Sequence, residues 1–266
     1  MTTDLRFGTF LAPNILPVYR AVTEGVARRL GMTAGLTVAA SYREYLDDRY
    51  DVAFICSLPQ VVFEREGTAT GVPVAAPVLS GDRYGGLPIY FSDVIVRGDS
   101  PHESFEELRG AAWAYNEPLS QSGYGITRYH LVRLGATQGF FGRMVAAGFH
   151  ERAIRLVRDG AADAAAIDSQ VLAVAMRHDP GLAEELRVID VLGPSTIQPV
   201  VVSRRLDPAL RTAVRDAVVD VHRDPAAAPE LAAGIVDRFV PVTPDSYADV
   251  RDMLDACLTA GFVHVH

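Results

Sequence analysis

Residues Tyr115 to Tyr124, YNEPLSQSGY, place two serine hydroxyls, a glutamine amide and a glycine in four consecutive positions, after a proline turn and before a helical pattern. Such a turn gathers hydroxyls with backbone N–H groups. The first N–H groups of a helix have no intrahelical acceptor and lie at the positive end of its dipole, so the turn suits a carboxylate, sulfate, phosphate or phosphonate. A charge-assisted hydrogen bond contributes about 1.5 to 3 kcal/mol, so three or four of them decide a binding energy. Ser120, Gln121, Ser122 and Gly123 are the candidate anion-binding residues. A purely structural role, with Ser120 or Ser122 capping the helix, stands beside that expectation.

Other chemistries find less support. The chain has no HxxxH or HExxH pair, no GxSxG elbow and no cysteine, histidine and acid group at metal-ligand spacing, so neither a metal nor a cofactor is expected. His264 and His266 read as a solvated tail. All 25 basic residues are arginine, against 33 acidic ones, for a net charge of −8. The absence of lysine excludes Schiff-base, pyridoxal-phosphate and Walker-A chemistry, each of which needs a lysine amine. A net negative chain without a basic run lacks the footprint of a nucleic-acid binder. No apolar run approaches the roughly 18 residues that insertion in a membrane requires. Cys56 and Cys257 are too few and too far apart for a disulfide framework and read as buried thiols. The beginning, MTTDLRFGTFLAP, has no positive n-region and no apolar h-region. As written, the chain is expected in the cytoplasm, and in the periplasm or outside the cell if a leader was trimmed.

The elements that must position the serine loop follow an α/β rhythm of short apolar runs and longer helical stretches, which predicts largely parallel sheets. Strands are expected at Leu5 to Phe10, Leu36 to Ala39, Val52 to Cys56 and Val72 to Leu79. A helix over Asn14 to Leu30 buries Ile15, Val18, Val22, Val26 and Leu30 at intervals of three and four and ends at Gly31. A short helix from Tyr42 to Asp48 and another after Pro59 complete this block. After the turn formers GDRYGGLP a second block carries strands at Ile89 to Val96, Ala111 to Tyr115 and Ala162 to Ile167. Its helices are expected near Ser122 to Leu134, His150 to Asp159 and Ser169 to Arg177. Strand material returns at Val188 to Leu192 and Pro199 to Ser203, before three amphipathic helices near 207–222, 227–235 and 244–260. At 266 residues the chain has room for one to two domains. The layout predicts a discontinuous lobe I, residues 1–84 and 190–266 with both termini together, and an inserted lobe II, residues 85–189. Hinge segments fall about 80–92 and 187–203.

Three collinear motifs carry a resemblance to a known family. Ser104 to Tyr124, SFEELRGAAWAYNEPLSQSGY, is similar to the string SLxDLKGKxxAFxDPxSTSGY of the phosphate, phosphite and phosphonate-binding proteins of ABC importers, the PhnD-like branch of the type 2 periplasmic-binding-protein fold. Tyr90 and Ser92 in IYFSDVIVRGDS match its YxSxIVxxxDS strand, and Ala147 to Ser169 matches its GxHxxxxxAVxxGxADxAxxD segment. The resemblance implies a two-lobed α/β fold, each lobe a mostly parallel sheet flanked by helices, with the ligand in a cleft between lobes. It also implies a small anionic ligand and an ABC permease as partners.

Taken over position by position, the resemblance puts Ser120, Gln121 and Ser122 where the family holds phosphonate oxygens. Tyr42 and Tyr90 resemble its two cleft tyrosines, His150 its cleft histidine, and Asp168 the group facing the other end of the ligand. These side chains also have structural uses, Asp168 as a helix cap among them. Two departures stand out: Gln121 occupies a position usually held by threonine, and Cys56-Ser57-Leu58-Pro59 replaces a glycine-containing turn. The function expected is a solute-binding protein that closes on a phosphorus oxyanion or related organic anion. The alternatives are a cytosolic enzyme on the same fold, of the thiamine-pyrimidine or menaquinone-precursor type with His150 or Asp168 as base, and a ligand sensor.

Overall fold

The computed structural model describes residues 4–265. In chain order they form β1 (Asp4–Thr9), α1 (Leu16–Leu30), β2 (Thr33–Val38), α2 (Arg43–Leu46), β3 (Val52–Phe54), α3 (Ser57–Arg65) and β4 (Gly71–Leu79). Next come β5 (Ile89–Arg97), β6 (Ala112–Tyr115), α4 (Ile126–Arg133), β7 (Arg143–Ala146), α5 (His150–Arg158), β8 (Ala164–Asp168), α6 (Ser169–His178) and α7 (Leu182–Glu185). The chain finishes with β9 (Leu186–Thr196), β10 (Val200–Ser203), α8 (Pro208–Asp220), α9 (Ala228–Ala233), β11 (Val236–Pro241) and α10 (Ala248–Thr259). Two compact units result. One holds the described residues up to Ile89 together with Thr196–Ala248; the other holds Tyr90–Ser195 together with the described residues from Asp249 on.

The first unit is built on a six-stranded sheet in the order β11-β4-β10-β3-β1-β2. Strand β1 runs parallel to β2 and β3, whereas β10 is antiparallel to β3 and β4, and β11 to β4. The central strands β3, VAF, and β10, VVVS, are buried along their whole length, as apolar runs without alternation require. Helix α1 buries Val18, Val22 and Val26 along one face and ends at Gly31, whose φ of +62° only glycine adopts without strain. Gly8 in β1 is needed for space instead. A Cβ there would lie 2.6 Å from the Tyr50 ring, which rests on the strand.

The second unit carries a five-stranded sheet in the order β7-β6-β8-β5-β9. Strand β6 is parallel to β7 and β8, and β5 is antiparallel to β8. Its core centres on Trp113, the one tryptophan of the chain, which stacks on Phe141 at 4.6 Å and meets Phe105 edge-on at 5.6 Å. Phe262 and Val265, beyond α10, belong to the same buried cluster.

Three expectations are corrected. Both sheets are mixed rather than mostly parallel, because β5 and β10 each follow a crossing between units with no helix to return the chain to its starting end. The unit boundary differs near the end of the chain: the described residues from Asp249 on group with the second unit, so the chain crosses at 89–90, 195–196 and 248–249, three times rather than twice. The helix expected from Ser122 is a five-residue π turn, Gln121–Gly125, running into α4. Strands β7 and β11 escaped sequence reading because they are edges with half-exposed patterns, carrying Arg143 and Asp237-Arg238 where an apolar run would mark a strand. Helix α3 begins at Ser57, ahead of Pro59, since proline is tolerated in a first turn.

Candidate functional site

The site grows from the C-terminal end of β6, where Ser120 N donates to Glu117 O at 3.0 Å and closes the proline turn. Ser120 is then extended, and its Oγ accepts from Gly123 N at 3.1 Å, a helix cap. The Ser120 carbonyl accepts from both Tyr124 N, at 3.2 Å, and Gly125 N, at 2.8 Å, so the first turn is wider than an α-helical one. As one of the first groups of the helix, the Ser122 N–H has no intrahelical acceptor. Gly123 is required by contact. A Cβ there would sit 2.8 Å from Asn116 Oδ1 and 3.2 Å from Ser120 Oγ, the atom that caps the turn.

His150 is delivered to this turn by the strand it follows. Ala147 N donates to Tyr115 O at 2.7 Å and Gly148 N to Asn116 O at 2.9 Å, extending the β6–β7 pairing and setting the start of α5 beside the loop. His150 Nε2 lies 2.9 Å from Ser122 Oγ, and Nδ1 is buried with no hydrogen-bond partner. The side chain is 5% exposed, and burial pushes its pKa down to about 3, so the imidazole is neutral. In the tautomer with the serine donating to Nε2, the ring presents an Nδ1–H donor. The chemistry on offer is therefore hydroxyl, imidazole and backbone N–H donors without a formal positive charge, suited to holding oxygen atoms of an anion.

The remaining candidates separate. Asp168 ends β8 and caps α6, its Oδ1 accepting from Gln170 N at 2.8 Å and Val171 N at 3.3 Å. It pairs in register with Ser92 of β5, the strand on which Tyr90 is also buried. Tyr42 is the N-cap residue of α2 in the first unit, where its half-buried ring stacks on Phe10 at 5.3 Å and meets Phe63 edge-on at 5.9 Å. The Gln121 amide reaches into distant segments: its Nε2 donates to Ser195 Oγ at 3.1 Å and approaches Met253 Sδ at 3.3 Å. Sequence reading missed Asn116, Ser195 and Met253. Asn116 lay inside the quoted motif, whereas the other two come from distant segments with no local signal.

A family model described as "ABC transporter, phosphonate, periplasmic substrate-binding protein" matches residues 11–247. The chain belongs to that family. Solved structures share its fold. A binding protein component of an ABC phosphonate transporter from Pseudomonas aeruginosa superposes with a TM-score of 0.81 at 18% identity, over 96% of this chain and 86% of that one. PhnD1 from Prochlorococcus marinus in complex with methylphosphonate gives 0.83 at 15% identity, over 98% and 99%. XAC2383 from Xanthomonas citri, bound to ATP, gives 0.69 at 22% identity, over 99% of each chain. The type 2 periplasmic-binding-protein-like α/β fold expected from the motifs is the fold of this chain. The family is one of transport proteins that bind substrate, and a small ligand and a permease are its partners. Among the described residues no helix is long and apolar enough to cross a membrane.

Proposed function

We propose that the chain binds a small phosphorus oxyanion, of the phosphonate, phosphite or phosphate class, at the turn Ser120–Gly123, and presents it to an ABC permease outside the cytoplasmic membrane. The observation that carries this reading is the buried pair Ser122 Oγ and His150 Nε2, 2.9 Å apart, on a ring whose Nδ1 is buried and unpartnered. A buried polar atom without a partner is costly, and an oxygen atom of a bound anion within reach of Nδ1 would satisfy it. Ser120 donates through its hydroxyl and the helix start adds Ser122 N–H, while the Ser122 hydroxyl donates to His150 Nε2 and so keeps Nδ1–H as a further donor. Tyr90 is proposed as a further ligand-contacting ring of the second unit, and Asp168 as a neighbour of the ligand's other end. The role is binding rather than catalysis.

Calorimetric titration of ligand-stripped protein with phosphate, phosphite, methylphosphonate, 2-aminoethylphosphonate and sulfate, with acetate as control, tests this. Micromolar or tighter binding of one phosphorus anion is expected, and no heat across the panel overturns the reading. Ser120→Ala and His150→Ala should each weaken that binding by about 1 to 3 kcal/mol. Unchanged affinity in both would remove the turn as the site. Asp168→Asn should weaken 2-aminoethylphosphonate more than methylphosphonate; equal losses would leave Asp168 only its cap.

A further inference from the structure

We infer that Gln121 is a positioning residue, whose side chain clasps the first turn of the anion loop to the end of β9 and to α10, and that it does not itself contact the anion. The inference rests on the turn being the anion site. Its side-chain amide is 1% exposed and finds an acceptor for each hydrogen, Ser195 Oγ at 3.1 Å and Met253 Sδ at 3.3 Å. Those two acceptors also touch, with Ser195 Oγ donating to Met253 Sδ at 3.8 Å, so three segments far apart in sequence meet at one amide. The neighbouring Ser122 turns instead to His150. Successive side chains of one turn therefore serve different ends, one the candidate site and one the clasp.

The places clasped matter. Ser195 is the last residue of the second unit before the crossing at 195–196, and Met253 lies in the second turn of α10, just past the crossing at 248–249. An anion that draws the N–H groups of the loop toward itself displaces the backbone of Gln121, and the amide carries that displacement to both segments. A threonine at this position would be too short to reach them.

Hydrogen–deuterium exchange with and without saturating methylphosphonate tests the clasp. In the wild type the ligand should slow exchange at 120–126, 190–198 and 248–256. In Gln121→Leu, binding should weaken by about threefold to tenfold, the worth of a neutral hydrogen bond. Protection at 120–126 should remain while protection at 190–198 and 248–256 is lost. Full protection of those two segments in the variant overturns the inference. A loss of affinity of about a hundredfold or more with unchanged circular dichroism also overturns it, since Gln121 would then be a direct donor to the anion. If Gln121→Leu fails to fold, Ser195→Ala and Met253→Leu remove the acceptors one at a time and should each reduce protection of the same segments. A wild type that binds the anion without protecting them overturns the inference alone. A wild type that binds none of the anions overturns the site and the inference together.

Discussion

Lowering the pH from 7.5 to 4.5 is expected to remove about 2 to 3 kcal/mol of stability from the second unit through His150 alone. In the folded chain burial holds this imidazole neutral down to about pH 3, while the unfolded chain protonates it near 6.5. Between those two values the unfolded state binds one proton more than the folded state. Stability therefore falls as the pH drops through that window, by about 1.4 kcal/mol per unit once below the unfolded pKa, and is fully present above it. Trp113 is the chain's one tryptophan and sits in the core of the second unit, so its fluorescence follows that unit. Urea titrations at pH 7.5, 6.5, 5.5 and 4.5 should show wild type and His150→Gln diverging in slope, since glutamine keeps a polar contact with Ser122 but does not titrate. Parallel pH dependences for the two proteins would show that His150 is not held neutral in the fold.

Gly123→Ala is expected to damage the turn proposed to bind the anion more than any exchange of a side-chain donor. The added methyl would stand 2.8 Å from Asn116 Oδ1, 2.9 Å from its Cγ and 3.2 Å from Ser120 Oγ. Asn116 is buried, so its side chain has little room to turn aside, and its backbone is held where the carbonyl accepts from Gly148 N at 2.9 Å, on the path to His150. Overpacking of this kind costs about 1 to 3 kcal/mol in stability. The binding loss should exceed about tenfold, because the cap, the helix start and the histidine shift together. Asn116→Ala empties the space that the methyl needs. The double variant should thus recover part of both losses, a non-additivity that a thermal melt and a methylphosphonate titration read directly. Additive losses would mean that the clash lies elsewhere.

Much of the fold is visible in the chain because short-range physics writes it there. The intervals of Val18, Val22 and Val26 give α1, and the left-handed Gly31 gives its end. The unbroken apolar runs at β3 and β10 give buried strands. Edge strands β7 and β11 carry no such run, since half of each faces water. The mixed pairing of the sheets is likewise invisible, because the direction of a strand relative to its neighbours depends on how the chain returns to them, and two strands of one apolar pattern fit either way.

The candidate site divides along the same line. Ser120, Ser122 and Gly123 were legible as a helix start, and the motifs around them led to the family, because the residues of a turn act on one another within a few positions. Asp168 as the cap of α6 follows from the same local chemistry. The partner of each side chain was not legible. That Ser122 meets His150, that Gln121 reaches Ser195 and Met253, and that α10 belongs with the second unit were decided only when the chain closed on itself. Local sequence sets φ, ψ and which face is apolar. The directions in which equivalent polar side chains turn are set by burial, which leaves each one only those partners that the packed core brings within reach of a hydrogen bond.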